Sequence, residues 1–254
     1  MTRPVWMGDE PPPETPATLA GRVRLILRGG PMAAVLLVGL ILHLALRLIE
    51  QPLHGGHRPW TPAITTAVCR ICIAILGLRY SVRGQPMRHI GAVVANHTGW
   101  LDIFTLNACQ RLYFVSKDEV ADWPFIGWLA RATGTVFIRR DPREAKAQQA
   151  IFEDRIRSGH HLLFFPEGTS TDGLQVLPFK TTLFAAFYTH GLDKVMQIQP
   201  VTVNYTAPAG EDPRFYGWWR DMTFGAHLAK VLSVARQGAA EVVFHPPLDV
   251  SDYP

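Results

Sequence analysis

His97 and Asp102, five positions apart in Asn96-His97-Thr98-Gly99-Trp100-Leu101-Asp102, are the pair in this chain best suited to move a proton. An imidazole backed by a carboxylate can take a proton from a hydroxyl, because the carboxylate fixes the ring and stabilises the imidazolium that forms. At 100° per residue the two would lie about 140° apart around a regular helix, so they cannot share a face mid-helix. They can meet only if His97 sits on the turn before a helix and Asp102 folds back from its first turns. Gly99 supplies backbone freedom for that turn. A second punctuated stretch, Phe165-Pro166-Glu167-Gly168-Thr169-Ser170-Thr171, has the same strand-then-loop character.

Both stretches follow apolar runs, Val93-Val94-Ala95 and Leu162 to Phe165, that read as buried strands. From about Tyr80 onward, strand and helix patterns alternate. Strands are expected at Tyr80–Gly84, Gly91–Ala95, Leu112–Ser116, Thr135–Arg139, Leu162–Phe165, Ile198–Val203 and Glu241–Phe244. Helices are expected over Asp102–Cys109, from Trp123, over Arg143–Ser158 and near Thr182–Thr189. The pattern predicts an α/β fold, a mixed sheet flanked by helices, without internal repeats.

The N-terminal third reads differently. Residues 1–20 include Glu10-Pro11-Pro12-Pro13-Glu14-Thr15-Pro16 and are expected to form a disordered tail. Arg22, Arg24 and Arg28 then lead into an apolar run from Pro31 to Leu46. As a helix that run is ~24 Å long, short of the ~20 residues a spanning helix needs. It is expected to be tilted or half inserted, with a full span as the alternative; the arginines favour a cytoplasmic N-terminus if it spans. No small-residue cleavage site follows, which argues against a signal peptide. A second apolar segment, Ala63–Leu78, either packs on the downstream domain or joins the first helix at the membrane. Three parts follow: the tail, membrane-associated helices over residues 21–79, and a catalytic domain over 80–254.

Composition narrows the partners. Of 254 residues, 48% are hydrophobic and the net charge is +4, so a sizeable core and an anionic partner are both allowed. No RNA-binding signature, zinc finger or long basic block points to nucleic acid. Cys69 and Cys72 form a CxxC inside an apolar stretch, without a second pair, and read as packed thiols. His160-His161 and Trp218-Trp219 have no ligand spacing and read as packing residues, the tryptophans alternatively as lipid-interface residues. No cofactor or metal is expected.

Four ordered blocks resemble the glycerolipid acyltransferases of the bacterial 1-acylglycerol-3-phosphate acyltransferase type. They are the NHxxxxD of Asn96–Asp102, Gly134-Thr135-Val136-Phe137-Ile138-Arg139-Arg140 (like GxxFIxR), the FPEGT of Phe165–Thr169, and Gln199-Pro200-Val201. Lys117 and Phe179-Lys180 also sit where that family tends to have them. The resemblance spans roughly residues 80–205. It implies that His97 deprotonates a hydroxyl of a lyso-lipid, which attacks the thioester of acyl-ACP or acyl-CoA directly, with Asp102 holding the histidine tautomer. That agrees with the lack of a nucleophile motif such as GxSxG. It further implies that Arg140, with Arg139 second, binds an acceptor anion. Glu167, Gly168 and Thr169 would bind the acceptor head group, Lys117 would contact substrate, and Pro200 would shape the donor side.

One departure bears on the acceptor. Phosphatidic-acid-forming members usually carry Arg-Ser after FPEGT, whereas this chain has Ser170-Thr171 and then Asp172-Gly173. That string resembles the branch that O-acylates lyso-ornithine lipid, so both acceptors stay open. The expected site is the cytoplasmic face of a bacterial inner membrane, among membrane lipids. A non-catalytic lipid-binding protein retaining the fold is the rival reading; a metal hydrolase lacks a ligand cluster.

Overall fold

The computed structural model describes residues 6–12, 18–139, 143, 145–181, 184–188, 194 and 196–253. Its first element, α1 (Leu19–His54), is 36 residues long, more than twice the apolar run alone. Thr18 caps it by accepting the Gly21 amide, and it continues through Pro31 despite the preceding Gly29-Gly30. Tertiary contacts override that local break. Arg24 Nε donates to Ser233 O at 2.7 Å, and Arg28 donates to Leu232 O and Val234 O at 3.0 and 2.6 Å. These guanidiniums satisfy the end carbonyls of α6 (Phe224–Ser233), which have no partner inside their own helix. Two of the three arginines expected to orient a membrane helix, Arg24 and Arg28, are therefore committed to the domain.

Helix α2 (Thr61–Leu76) starts with Pro62 in its first turn and stops at Gly77, whose φ of 78° returns its amide to Ile73 O and Ala74 O. One face packs on α1, where Gly39 lets Val68 approach its backbone closely. Its other face carries Cys69, Cys72, Ile73 and Leu76 into a core with Trp100, Leu101, Ala108, Val231 and Leu232.

The sheet comprises β1 (Arg79–Arg83), β2 (Gly91–Ala95), β3 (Tyr113–Lys117), β4 (Val136–Ile138), β5 (Leu162–Phe164), β6 (Gln197–Thr206), β7 (Ala239–Phe244) and β8 (Leu248–Asp249). Its order among the described residues is β1-β7-β6-β2-β5-β3-β4, with β8 beside β6. Pairings from β6 through β2, β5 and β3 to β4 are parallel; β6–β7 and β6–β8 are antiparallel. The sheet is mixed, as expected. Central β2 is buried at every position, as a parallel strand covered on both faces requires. Helices α3 (Leu101–Cys109), α4 (Ile126–Thr133) and α5 (Ala145–Arg157) join the parallel strands.

Four features depart from the sequence reading. The tract from Trp123 enters its helix only at Ile126, after a 3-10 turn over Asp118–Asp122. The helix near 182–189 appears as a 3-10 turn at Ala185–Tyr188, with residues 182, 183 and 189 outside the described set. Helix α6 was not anticipated, although Thr223 caps it through the Ala226 amide. Within the supposed tail, residues 6–12 lie on the 214–220 loop: Trp219 Nε1 donates to Asp9 O at 2.8 Å and Arg220 to Gly8 O at 3.1 Å.

Candidate active site

Parallel strands deliver their C-terminal ends to one edge, where sheets of this type hold ligands. The loops after β2 and β5 meet there. Asn96 fixes the first, because its side chain exchanges two hydrogen bonds with β6, Nδ2 to Val203 O at 3.0 Å and Oδ1 from Val203 N at 2.8 Å. His97 follows on the turn, and Asp102 lies in the first turn of α3. His97 Nδ1 lies 2.8 Å from Asp102 Oδ2, so the pair meets in the one way the spacing allows.

Asp102 is fully buried, yet its carboxylate is not isolated. Oδ2 also accepts the amides of Thr98 and Gly99 at 2.8 and 3.0 Å, and Oδ1 accepts the Tyr205 hydroxyl at 2.8 Å. Amides at a helix N-terminus favour negative charge. An ionised carboxylate can only accept, so His97 Nδ1 must be the donor and Nε2 the basic nitrogen. The His97 side chain retains 22% exposure, enough for a substrate to reach it. Phe165 stacks on the ring with centroids 3.9 Å apart and planes 12° from parallel, which restricts its rotation. Gly99 serves differently from the turn role expected of it: it does not adopt positive φ, and a Cβ there would lie 3.2 Å from Trp218 Cβ. Its small size admits the 215–220 loop, where Trp218 N donates to Thr98 O.

The Phe165–Thr171 loop is tied to the His97 turn rather than simply facing it. Glu167 is buried, with Oε1 accepting the His97 amide at 2.9 Å and Oε2 the Leu177 amide at 2.8 Å. Burial raises its carboxyl above the ordinary range, and the two amides oppose that shift. With both oxygens bonded to backbone, the carboxylate clamps the two loops together. Gly168 makes the turn at φ 70°, and a Cβ there would lie 3.0 Å from Lys180 Nζ, placing that ammonium against the loop. Thr169 Oγ1 accepts the Trp6 amide at 3.4 Å, and Thr171 N donates to His97 O at 3.0 Å.

Other expected residues lie farther out. Lys117 ends β3 at the same sheet edge. Arg139, just past β4, is mostly exposed and pairs with Asp118 at 2.9 Å, in a cleft of about 380 Å³ also lined by Phe137, Gln148 and Ile151. Arg140 lies outside the described residues. Pro200 pairs with Val94 inside the sheet, three residues short of His97, or ~10 Å back along the strand. The thiols of Cys69 and Cys72 are raised by burial in the helical core. His160 stacks on Tyr113 and accepts from Arg155 Nε at 2.7 Å. Trp219 is buried. Phe165, which opens the FPEGT block, and Tyr205 complete the His97 environment; Tyr205 carried no recognised spacing, and only the apolar alternation of β6 marked it.

Comparison with known proteins shows the family and the fold. The Acyltransferase family profile matches residues 79–204. A protein of Rhodobacter capsulatus named lyso-ornithine lipid O-acyltransferase is 90% identical over 254 residues, covering 100% of this chain and 92% of the relative. A protein of that name from Pseudomonas aeruginosa is 32% identical over 230 residues, 89% of this chain and 86% of the relative. The crystal structure of the 1-acyl-sn-glycerophosphate acyltransferase PlsC from Thermotoga maritima superposes with a TM-score of 0.60 at 20% identity, covering 92% of this chain and 88% of that one, and shows the shared fold.

Proposed function

This chain belongs to the Acyltransferase family and is an acyl-transfer enzyme, and from that premise we propose that it acylates the hydroxyl of lyso-ornithine lipid, with His97 as general base. The observation that carries the mechanism is the 2.8 Å contact between His97 Nδ1 and buried Asp102, which leaves Nε2 as the base. Nε2 takes the proton of the acceptor hydroxyl while its oxygen attacks the thioester carbonyl. The tetrahedral adduct expels the thiolate of ACP or CoA, and the imidazolium returns the proton to that sulfur. Asp102 stabilises the transient imidazolium. No acyl-enzyme is required.

The names of the relatives in R. capsulatus and P. aeruginosa support the lyso-ornithine acceptor. So does the loop after Thr169, where Ser170-Thr171 stands in place of Arg-Ser and the cation is lost. Lys117, Arg139, Arg140, Gly168 and Thr169 are assigned to the acceptor side, with Glu167 fixing their loop. Pro200 acts within β6. Nothing favours the non-catalytic reading, which leaves the His97 arrangement without a use. Residues 21–79 are assigned to membrane attachment and 80–254 to transfer, at the cytoplasmic face of the inner membrane. Helix α1 is apolar and long enough to cross a bilayer, though at about 54 Å it exceeds the ~30 Å hydrocarbon core. Packed lengthwise on the domain with Leu37, Val38, Ile41 and Leu42 exposed, it suits attachment in the plane of the interface.

The test is transfer by purified protein, followed by mass spectrometry of the diacyl product and by thiol release. His97→Ala is expected to lower the rate by about 10²–10⁴-fold with the melting temperature unchanged. Undiminished transfer by that variant would remove the mechanism.

A further inference from the structure

We propose that Tyr205 is a positioning residue whose phenol, donated to Asp102, sets how strongly that carboxylate draws the proton carried by His97. This role presupposes His97 as the general base.

Tyr205 lies on β6, hydrogen-bonded to β2, the strand that ends just before His97. The two Asp102 oxygens have unequal surroundings. Oδ2 receives three donors: the imidazole, the Thr98 amide and the Gly99 amide. Oδ1 receives one among the described residues, the Tyr205 hydroxyl at 2.8 Å. The phenol oxygen also lies 3.2 Å from Thr105 Oγ1. The direction of its proton is settled by chemistry, since an ionised carboxylate can only accept. Burial holds the Tyr205 hydroxyl well above its ordinary pKa, so it keeps that proton throughout the working range.

The surroundings fix the phenol in place. Its ring packs on Tyr216 with centroids 5.4 Å apart. Tyr216 is itself anchored, donating to Gln237 Oε1 at 2.8 Å and accepting the Gly238 amide at 2.9 Å. From β1, Tyr80 donates to Thr105 O at 2.7 Å and steadies the same turn of α3. Strands β1 and β6 thus each send a tyrosine to the helix that carries Asp102.

Every donor to a carboxylate stabilises its charge and weakens its pull on another proton. Removing the phenol should make Asp102 more basic, stabilise the imidazolium, and raise the pKa of His97 in the working enzyme. Strengthening the donor should do the opposite. Other titratable groups near the pair are Glu167 from the loop after β5, Tyr80 from β1 and Lys180 against Gly168. None of these changes in the variants below.

The experiment is the pH dependence of kcat/KM with lyso-ornithine lipid and acyl-ACP, for the full chain in detergent. Tyr205→Phe keeps the ring and removes the donor; 3-fluorotyrosine at position 205 keeps the shape and donates more strongly. Tyr205→Phe is expected to move the acidic limb about half a unit to one unit towards higher pH. On the plateau above that limb its kcat should not fall, because the more basic Asp102 stabilises the imidazolium formed in transfer, and both KM values should stay within about twofold. The fluorinated protein is expected to move the limb towards lower pH. A purely structural tyrosine gives no reason for opposite shifts, so limbs that coincide with wild type, or that move together, overturn the role. If Tyr205→Phe does not fold, the sign of the fluorotyrosine shift alone decides. His97→Ala in the same assay separates the two levels. Inactive His97→Ala with unshifted Tyr205 variants defeats only the tyrosine's role, whereas active His97→Ala removes the base and this role with it.

Discussion

At Asp102 one carboxylate orients the His97 ring and also ties down the turn before a helix. Its bonds to the Thr98 and Gly99 amides join the first turn of α3 to the turn that precedes it, and they hold the carboxylate where it meets His97 Nδ1. Glu167 repeats the device on the neighbouring loop, bridging the His97 and Leu177 amides. Glu167→Gln retains one accepting oxygen but turns an amide donor towards a backbone N–H. It is expected to cost about 1–3 kcal/mol of stability and to lower kcat more than KM. Chemical denaturation and steady-state kinetics check both, and a variant with unchanged stability and a raised acceptor KM would restore Glu167 as a direct head-group ligand.

Among the elements, α1 carries the sharpest division of labour. Arg24 and Arg28 bind the end of α6, while Met32, Gly39 and His43 face inward. The opposite face leaves Leu37, Val38, Ile41, Leu42, Leu48 and Ile49 exposed, an apolar surface that water does not favour. Ile41→Lys with Leu42→Lys should weaken binding to phosphatidylglycerol–phosphatidylethanolamine vesicles at least about tenfold, given the ~1.5–3 kcal/mol that burial of each such side chain contributes. The melting temperature in detergent should not move. Unaltered vesicle binding would place the attachment surface elsewhere.

For the whole molecule, buried His160 and His227 contribute to the response to acid. His160 accepts from Arg155, and His227 Nδ1 accepts from Trp100 Nε1 at 2.9 Å. Burial is the main cause holding each at about 3, with the Arg155 and Lys230 cations adding to it. A base with a depressed native pKa contributes stability that is fully present above its unfolded value of about 6.5 and lost as pH falls towards the native one. Stability should therefore decline between about pH 6.5 and 3, with each histidine contributing up to about 1.4 kcal/mol per pH unit. Denaturant titrations of wild type, His160→Gln and His227→Gln measure this, and each variant should show a shallower decline. Equal slopes in all three proteins would mean that neither histidine controls it.

The sequence by itself determined the chemistry on offer. His97, Asp102 and the Pro-Glu-Gly turn were legible because each follows a short apolar run, and period-two or continuous burial marks such strands without knowledge of their neighbours. The α/β alternation was legible for the same local reason. Strand order, the commitment of Arg24 and Arg28 to α6, the clamp made by Glu167 and the approach of Tyr205 to Asp102 were not. Tyr205 lies 103 positions from Asp102 in the chain, and Glu167 lies 70 from the amide it accepts. Contacts of that reach depend on how the sheet orders its strands. Local pattern determines which residues enter an element; only packing determines which elements become neighbours.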